Sequence, residues 1–447
     1  MKISRFILIL RSLITFRVCW VSGGIAALLL SLPGPVSGRI YLDINAPSIQ
    51  RIKIAIPDFK NNSNEGRQPE LGSLMRAVVS NDLDLSGYFL PIEKEAFLVK
   101  TPYDRPEDIR LRDWSLIGAD LLLVAQYTSI GRALEVEVRL YDVFRGKEIL
   151  GRRFLGRTVQ YRTLMHRVSN EIIRVLTGQK GMFLSKIAFV GTATGHKEIY
   201  ICDIDGKNVR RITSDKSIAL FPRWSPEGGR LLYNSFKEGE AMLYMKNLKT
   251  GRVRKLSGRK GLNIGAAWAP DGKSAALTLS HGSNPDIYRI DLRGKILERL
   301  TNHFAIDMSP TFSPDGKRIA FVSNRSGSPQ IYVRDLSTGI EERITFFESK
   351  YNTSPVWSAL DRIAFSGMKD GTIDVYTINP DGSNLRKLTE GQGKNEDPCW
   401  SPDGRYIVFS SNRTGRYHLY LMNANGQNQR KITDFRGEQT SPSWSPF

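Results

Sequence analysis

Cysteine is nearly missing from this chain, with only Cys19, Cys202 and Cys399 among 447 residues. A disulfide framework or a structural zinc site needs more thiols at closer spacing, so the fold has to rest on a hydrophobic core. Histidine is scarce as well: His166, His196, His281, His303 and His418 show no spacing that brings two of them to one metal ion. No phosphate loop occurs, Gly191–Lys197 being the nearest approach, and there is neither a Gly-x-Ser-x-Gly elbow nor a His-Glu-x-x-His pair. Acids are the minority charge, 45 against 64 Lys and Arg, for a net +19. The cations are scattered rather than gathered in a tail or stripe, which reads as a basic soluble surface and disfavours a nucleic-acid partner.

Long apolar runs are confined to one place. Lys2, Arg5, Arg11 and Arg17 lead into the run Val18–Leu32, which Pro33-Gly34-Pro35 ends before the small residues of Val36-Ser37-Gly38. Fifteen residues are short for a membrane span, and the pattern is that of an export signal over residues 1–38, cleaved near Gly38. The mature chain then keeps Cys202 and Cys399, expected as two buried, unpaired thiols in different repeats.

Residues 39–182 alternate between strand and helix patterns and are expected to form an α/β domain. Ile40–Ile44 and Lys53–Pro57 read as short strands, Asp120–Ala125 as a buried strand, and Leu134–Leu140 as a strand with one wet face. Leu71–Leu85, Glu107–Gly118 and Tyr161–Thr177 carry helical spacing, and Gly178–Gly181 is the linker.

From residue 183 to 447 a different rule holds. Trp224-Ser-Pro-Glu-Gly, Trp268-Ala-Pro-Asp-Gly, Phe312-Ser-Pro-Asp-Gly and Trp400-Ser-Pro-Asp-Gly recur on a ruler of 43–45 residues, with a degraded copy at Trp357 and an unfinished one at Trp444. A period of this length marks supersecondary units that bury their faces only against each other. Pro presets φ for the turn and Gly relaxes its exit, while the aromatic ahead of it fills the wedge between units. Each unit has four strand-like segments, the third carrying Tyr200, Tyr244, Tyr288, Tyr332, Tyr376 or Tyr420. Four strands per repeat are propeller blades. The first unit lacks its Trp strand and the last has only that strand; joined, they give a sixth blade and a closed ring.

Stacking the repeats on the Trp exposes a second ring. Five residues upstream stand Asn263, Asp307, Asn352, Asn395 and Gln439, with Ala219 the apolar exception. Two readings apply: the side chains bond their own loops, or they line one end of the central channel. On the second reading this rim, with Lys260, His303, Tyr351, Lys394 and Glu396, is a polar docking surface for a protein.

The whole pattern resembles the TolB family of the Tol–Pal cell-envelope system. The resemblance rests on Gly38-Arg39-Ile40-Tyr41-Leu42-Asp43, Asp113–Asp120 (Asp-Trp-Ser-Leu-Ile-Gly-Ala-Asp), Leu176–Gly181 and the Trp-Ser-Pro ending. It implies a periplasmic, non-enzymatic adaptor without cofactor, a monomer within a complex and peripheral to the membrane. It implies that the propeller mouth holds the peptidoglycan-associated lipoprotein Pal, with contacts around Leu262-Asn263-Ile264 and Asp307-Met308-Ser309. The mobile N-terminal segment, Arg39, Ile40, Tyr41, Leu42, Asp43 and Ile44, would engage TolA, and other outer-membrane proteins are further candidate partners. The fourth repeat has lost Pro-Asp-Gly, and Leu262 stands where the family can carry His. The competing expectation is a propeller hydrolase of lactonase type with a metal in the channel; the ring offers it one carboxylate, Asp307, which is poor for a divalent cation.

Overall fold

The structure is a computed structural model that describes residues 50–63, 70–98, 108–280, 284–347 and 349–447. The signal, the strand expected at Ile40–Ile44, the segment Arg39–Ile44 and His281 lie outside the described residues.

The first domain is built on a mixed sheet of β1 (Ile52–Ala55), β2 (Lys60–Asn61), β3 (Phe89–Pro91), β4 (Leu121–Ile130), β5 (Ala133–Asp142) and β6 (Lys147–Arg157), in the order β3-β1-β4-β5-β6, with β2 also on β4. Helices α1 (Leu71–Leu85) and α3 (Tyr161–Thr177) fall where the apolar spacing puts them. They pack together through residues such as Met75, Val79, Val168 and Ile172. Helix α2 (Leu111–Leu116) is shorter than the stretch expected to Gly118, because the chain leaves the helix at Ile117 and Gly118 takes φ +75°. Strand β6 was not expected. It is the sheet edge, mostly exposed and interrupted by Gly151 and Arg152-Arg153, so it carries no alternating signal.

Gly178, at φ +73°, ends α3 and leads into six four-stranded sheets. Strands are lettered a to d outward from the axis of each blade. Blades 2 to 6 begin with Ala219–Trp224, Asn263–Trp268, Asp307–Phe312, Tyr351–Trp357 and Asn395–Trp400. Blade 1 takes its strand a, Gln439–Trp444, from the C-terminus, paired antiparallel with Lys186–Gly191. Strand order is therefore that of a closed six-bladed propeller, every blade having its four strands.

The repeated aromatics tie this ring. The Nε1–H of Trp224, Trp268 and Trp400 each donates at 3.1 Å to a backbone carbonyl in the preceding blade's strand a: Ser443, Arg223 and Val356. In the degraded fourth repeat Trp357 turns instead to Asp361, whose φ is +54°, and Arg318 stacks over the indole at 4.9 Å. The Tyr of strand c stacks on an aromatic of strand b in most blades, as Phe321 on Tyr332 and Phe365 on Tyr376.

The first domain sits on blades 1 and 6, at the end of the propeller that carries the Trp-Ser-Pro turns. Tyr406 Oη donates to Ser86 O at 2.8 Å, and Arg405 reaches Tyr88 Oη and Lys180 O, each at 2.9 Å. Asp84 is held between Arg51 and Arg430. Among the described residues, the first domain leaves the opposite end of the propeller uncovered.

The propeller mouth as candidate docking site

Every strand a carries the same irregularity. Three residues before the Trp position stand Phe221, Gly265, Ser309, Ser354, Asp397 and Ser441, all with φ between 50° and 66°. A register shift marks a bulge at this point in each blade. The next residue is Pro in five of the six strands, Ala266 being the exception, so the amide that the bulge would strand is absent from the start.

The bulge residues line a central channel of about 540 Å³. Asp397 accepts Ser354 Oγ–H at 3.0 Å and Ser441 Oγ–H at 2.8 Å, closing part of the ring through side chains.

Upstream of the bulge, strand geometry alternates. The position five before the Trp points into the blade: Asn263, Asp307, Asn352, Asn395 and Gln439 are wholly buried. Asn263 Oδ1 accepts Ser257 Oγ–H at 2.6 Å and the Arg259 amide at 3.1 Å, while its Nδ2 donates to Arg259 O and Gly261 O. Asn352 Nδ2 donates to Gln330 Oε1 at 2.8 Å. Asn395 Nδ2 donates to Asp374 Oδ1 at 3.0 Å, and its Oδ1 accepts Ser411 and Arg413. Gln439 Oε1 accepts Thr433 Oγ1–H at 3.0 Å. Asp307 pairs with Arg325 at 2.9 Å; burial pushes its carboxyl above the usual range against the pull of Ser323 and Arg325. The expectation that these side chains form the docking rim therefore gives way to an anchoring role, since no surface of theirs is left for a partner. Asp307, the carboxylate on which a channel metal was expected to depend, does not line the channel at all.

The residues that do face outward are those one place before and one place after, six and four residues ahead of the Trp. On blades 2, 3 and 4 these are Ile218 and Leu220, Leu262 and Ile264, Ile306 and Met308. Ile218 is 44% exposed and Ile306 40%; Tyr351 of blade 5, 42% exposed, continues the arc. Phe304, on the loop entering blade 4, is 81% exposed and lies against the His303 ring at 4.2 Å. His303 itself is half-buried, its Nδ1 accepting the Ala305 amide at 3.0 Å.

The other side of the mouth is charged. It carries Lys394, Glu396 and Glu438, while Lys260 is exposed on the blade 2–3 loop beside Leu262. Burial raises the Glu396 carboxyl pKa, opposed by the Tyr417 phenol that bonds it. The loops are pinned: the amides of Leu262, Ile306, Lys394 and Glu438 donate at 2.7–2.8 Å to Ser280 Oγ, Asn324 Oδ1, Asn412 Oδ1 and Thr192 Oγ1. The mouth is thus a rigid ring with an apolar arc and a charged arc.

The family model of the TolB amino-terminal domain matches residues 40–149, and that of the TolB β-propeller domain matches residues 173–447. The chain belongs to the TolB family. It is 40% identical over 225 residues to the Tol-Pal system protein TolB of Desulfosudis oleivorans, covering 48% of this chain and 50% of that one. Identity to the Tol-Pal system protein TolB of Syntrophotalea carbinolica is 40% over 196 residues, 43% of this chain and 45% of the other. The chain spans about half the length of these curated relatives. The solved structure of TolB from Acinetobacter baumannii superposes with a TM-score of 0.77 at 30% identity, over 89% of this chain and 97% of that one.

Among the candidates for partner contact in this TolB-family chain, the structure groups Leu262, Met308, Tyr351, Lys394 and Glu396 at the mouth, with Lys260 and His303 on the loops beside them. It separates Asn263, Asp307, Asn352, Asn395 and Gln439 as anchors. Ile218, Phe304 and Ile306 went unnoticed in the sequence. So did the reason for the anchors. A triplet of cation, Ile or Leu, and Thr or Ser recurs at Arg211–Thr213, Lys255–Ser257, Arg299–Thr301, Arg343–Thr345, Lys387–Thr389 and Lys431–Thr433. In five blades the Thr hydroxyl accepts an amide of strand c, as from Ile331 and Val375, each at 3.0 Å. It donates in turn to a buried Gln330 or Asp374, the groups that receive Asn352 and Asn395. Where Ala219 leaves the anchor out, Glu198 takes the amides of Asp215 and Lys216 directly.

Proposed function

We propose that this chain is a non-enzymatic periplasmic adaptor of the Tol–Pal system. Its propeller mouth binds the peptidoglycan-associated lipoprotein Pal, and its Arg39–Ile44 segment engages TolA, so that the protein supports outer-membrane integrity and envelope constriction at division. The observation that carries this reading is the contiguous apolar arc from Ile218 to Tyr351, held on pinned loops at the end of the propeller that the first domain leaves open. Exposed Ile, Leu, Met and Phe side chains fixed in one ring are what a protein partner desolvates, and rigid loops lower the entropy lost on docking. The charged arc of Lys394, Glu396 and Glu438 supplies orientation. Export is supported by the cationic start and the apolar run Val18–Leu32.

The test is capture from envelope extracts of the source organism with the mature protein as bait. A peptidoglycan-binding lipoprotein should be recovered by the wild type and lost with Ile306→Asp. Recovery that is equal with both proteins would count against the mouth as its seat, and no such lipoprotein in either capture would count against the adaptor reading.

A further inference from the structure

At the junction of the two domains, His166 of α3 is 2% exposed and lies between carboxylates of both. Its Nδ1 is 2.8 Å from Asp82 Oδ2 on α1. Its Nε2 has no hydrogen-bond partner among the described residues and is 3.9 Å from Asp203 Oδ2, on the c–d turn of blade 1. Asp205, on the same turn, completes the cluster. Arg162 of α3 pairs with Asp205, and Lys186 of the blade 1 strand b pairs with Asp203, which also accepts Asn208 Nδ2 at 2.6 Å. Cys202 beside them is held as a neutral thiol, burial driving its pKa far upward. Three carboxylates therefore face Arg162, Lys186 and one imidazole, and the cluster balances its charges with one further proton on the Asp82–His166 pair.

Burial by itself would lower the His166 pKa. The Asp82 hydrogen bond and the charges of Asp82, Asp205 and Asp203 outweigh it and hold the imidazole above its ordinary range. Asp82 feels the same burial, which pushes its carboxyl upward against His166. Among the other polar links across the junction, those of Arg405 to Tyr88 and Lys180 and of Arg430 to Asp84 use guanidinium groups that stay charged through neutral pH, and that of Tyr406 to Ser86 O uses a neutral phenol.

We propose that His166 is a proton-operated latch between the two domains. The imidazolium donates to Asp82 within its own domain and attracts Asp203 across the junction; without the second proton Nε2 turns a lone pair toward that carboxylate. A cation whose pKa is raised in the folded state contributes its stabilisation fully below the unfolded value and loses it as pH rises through the folded one. The latch is therefore closed at acidic pH and released on the alkaline side of the ordinary imidazole range. One proton limits the effect to a tenfold change in the opening equilibrium per pH unit. The proposal stands apart from any partner at the mouth.

Hydrogen exchange of the full mature protein across pH, corrected for intrinsic rates, reads the opening at α3 and at the turn Asp203–Gly206, while NMR follows the imidazole. Protection at the two segments should rise together as pH falls, approaching tenfold per unit. His166→Gln should flatten that dependence, and Asp203→Asn should move the imidazole midpoint downward. An unchanged pH profile in His166→Gln, or a midpoint unmoved by Asp203→Asn, would overturn the latch. So would stabilisation by micromolar zinc that a chelator reverses, since the cluster would then be a metal site. Should His166→Gln not fold, the Asp203→Asn titration decides alone.

Discussion

Two neighbouring residues where the blade 6 inner strand begins do opposite work at the mouth. Asn395 is buried with Asp374, Ser411 and Arg413 on its amide, whereas Lys394 just before it is exposed. Replacing Asn395 by Ala strands several buried polar groups, and we expect a loss of about 1–3 kcal/mol, read as a lower Tm. Ile306→Asp, on a pinned and exposed position, should leave Tm within a degree or two while weakening partner binding by about tenfold or more. The sequence carried the ring of amides clearly but not its direction. Alternation along a strand sends adjacent residues to opposite faces, and with Asn and Asp repeating in a loop only the buried Thr network decides which face is which. That network had its own signal in the recurring cation–Ile/Leu–Thr triplet, legible once Thr345 is linked to Gln330 and Gln330 to Asn352.

At the level of the strand, one donated segment closes the propeller. Deleting Thr440–Phe447 removes strand a of blade 1 and leaves Lys186–Gly191 as an open edge. Calorimetry should then lose the single cooperative transition of the ring; an unchanged melting curve would contradict the closure. A milder probe is Trp268→Phe, which keeps the wedge but removes the indole donor to Arg223 O. It should cost about 0.5–1.5 kcal/mol in chemical denaturation, and Phe312 shows that a blade accommodates the loss. Helices α1 and α3 and the blade count were readable because period and amphipathic spacing are local properties. Strand β6 was not, because an edge strand solvated on one side lacks a buried face to pattern it.

Across the whole molecule, the two ends of the propeller are divided between the chain's own domain and the open mouth. The domain junction was invisible in the sequence. Tyr406 meets Ser86 and Arg405 meets Tyr88 across more than three hundred residues, and His166 gave no sign of its carboxylates. The most direct test of the account is calorimetric titration of the purified mature protein with the peptidoglycan-associated lipoprotein of the same organism, using wild type, Ile306→Asp and Asn395→Ala. The account predicts that Ile306→Asp raises Kd by about tenfold or more at unchanged Tm, while Asn395→Ala lowers Tm more than it changes Kd. An Ile306→Asp protein that binds like wild type would contradict it.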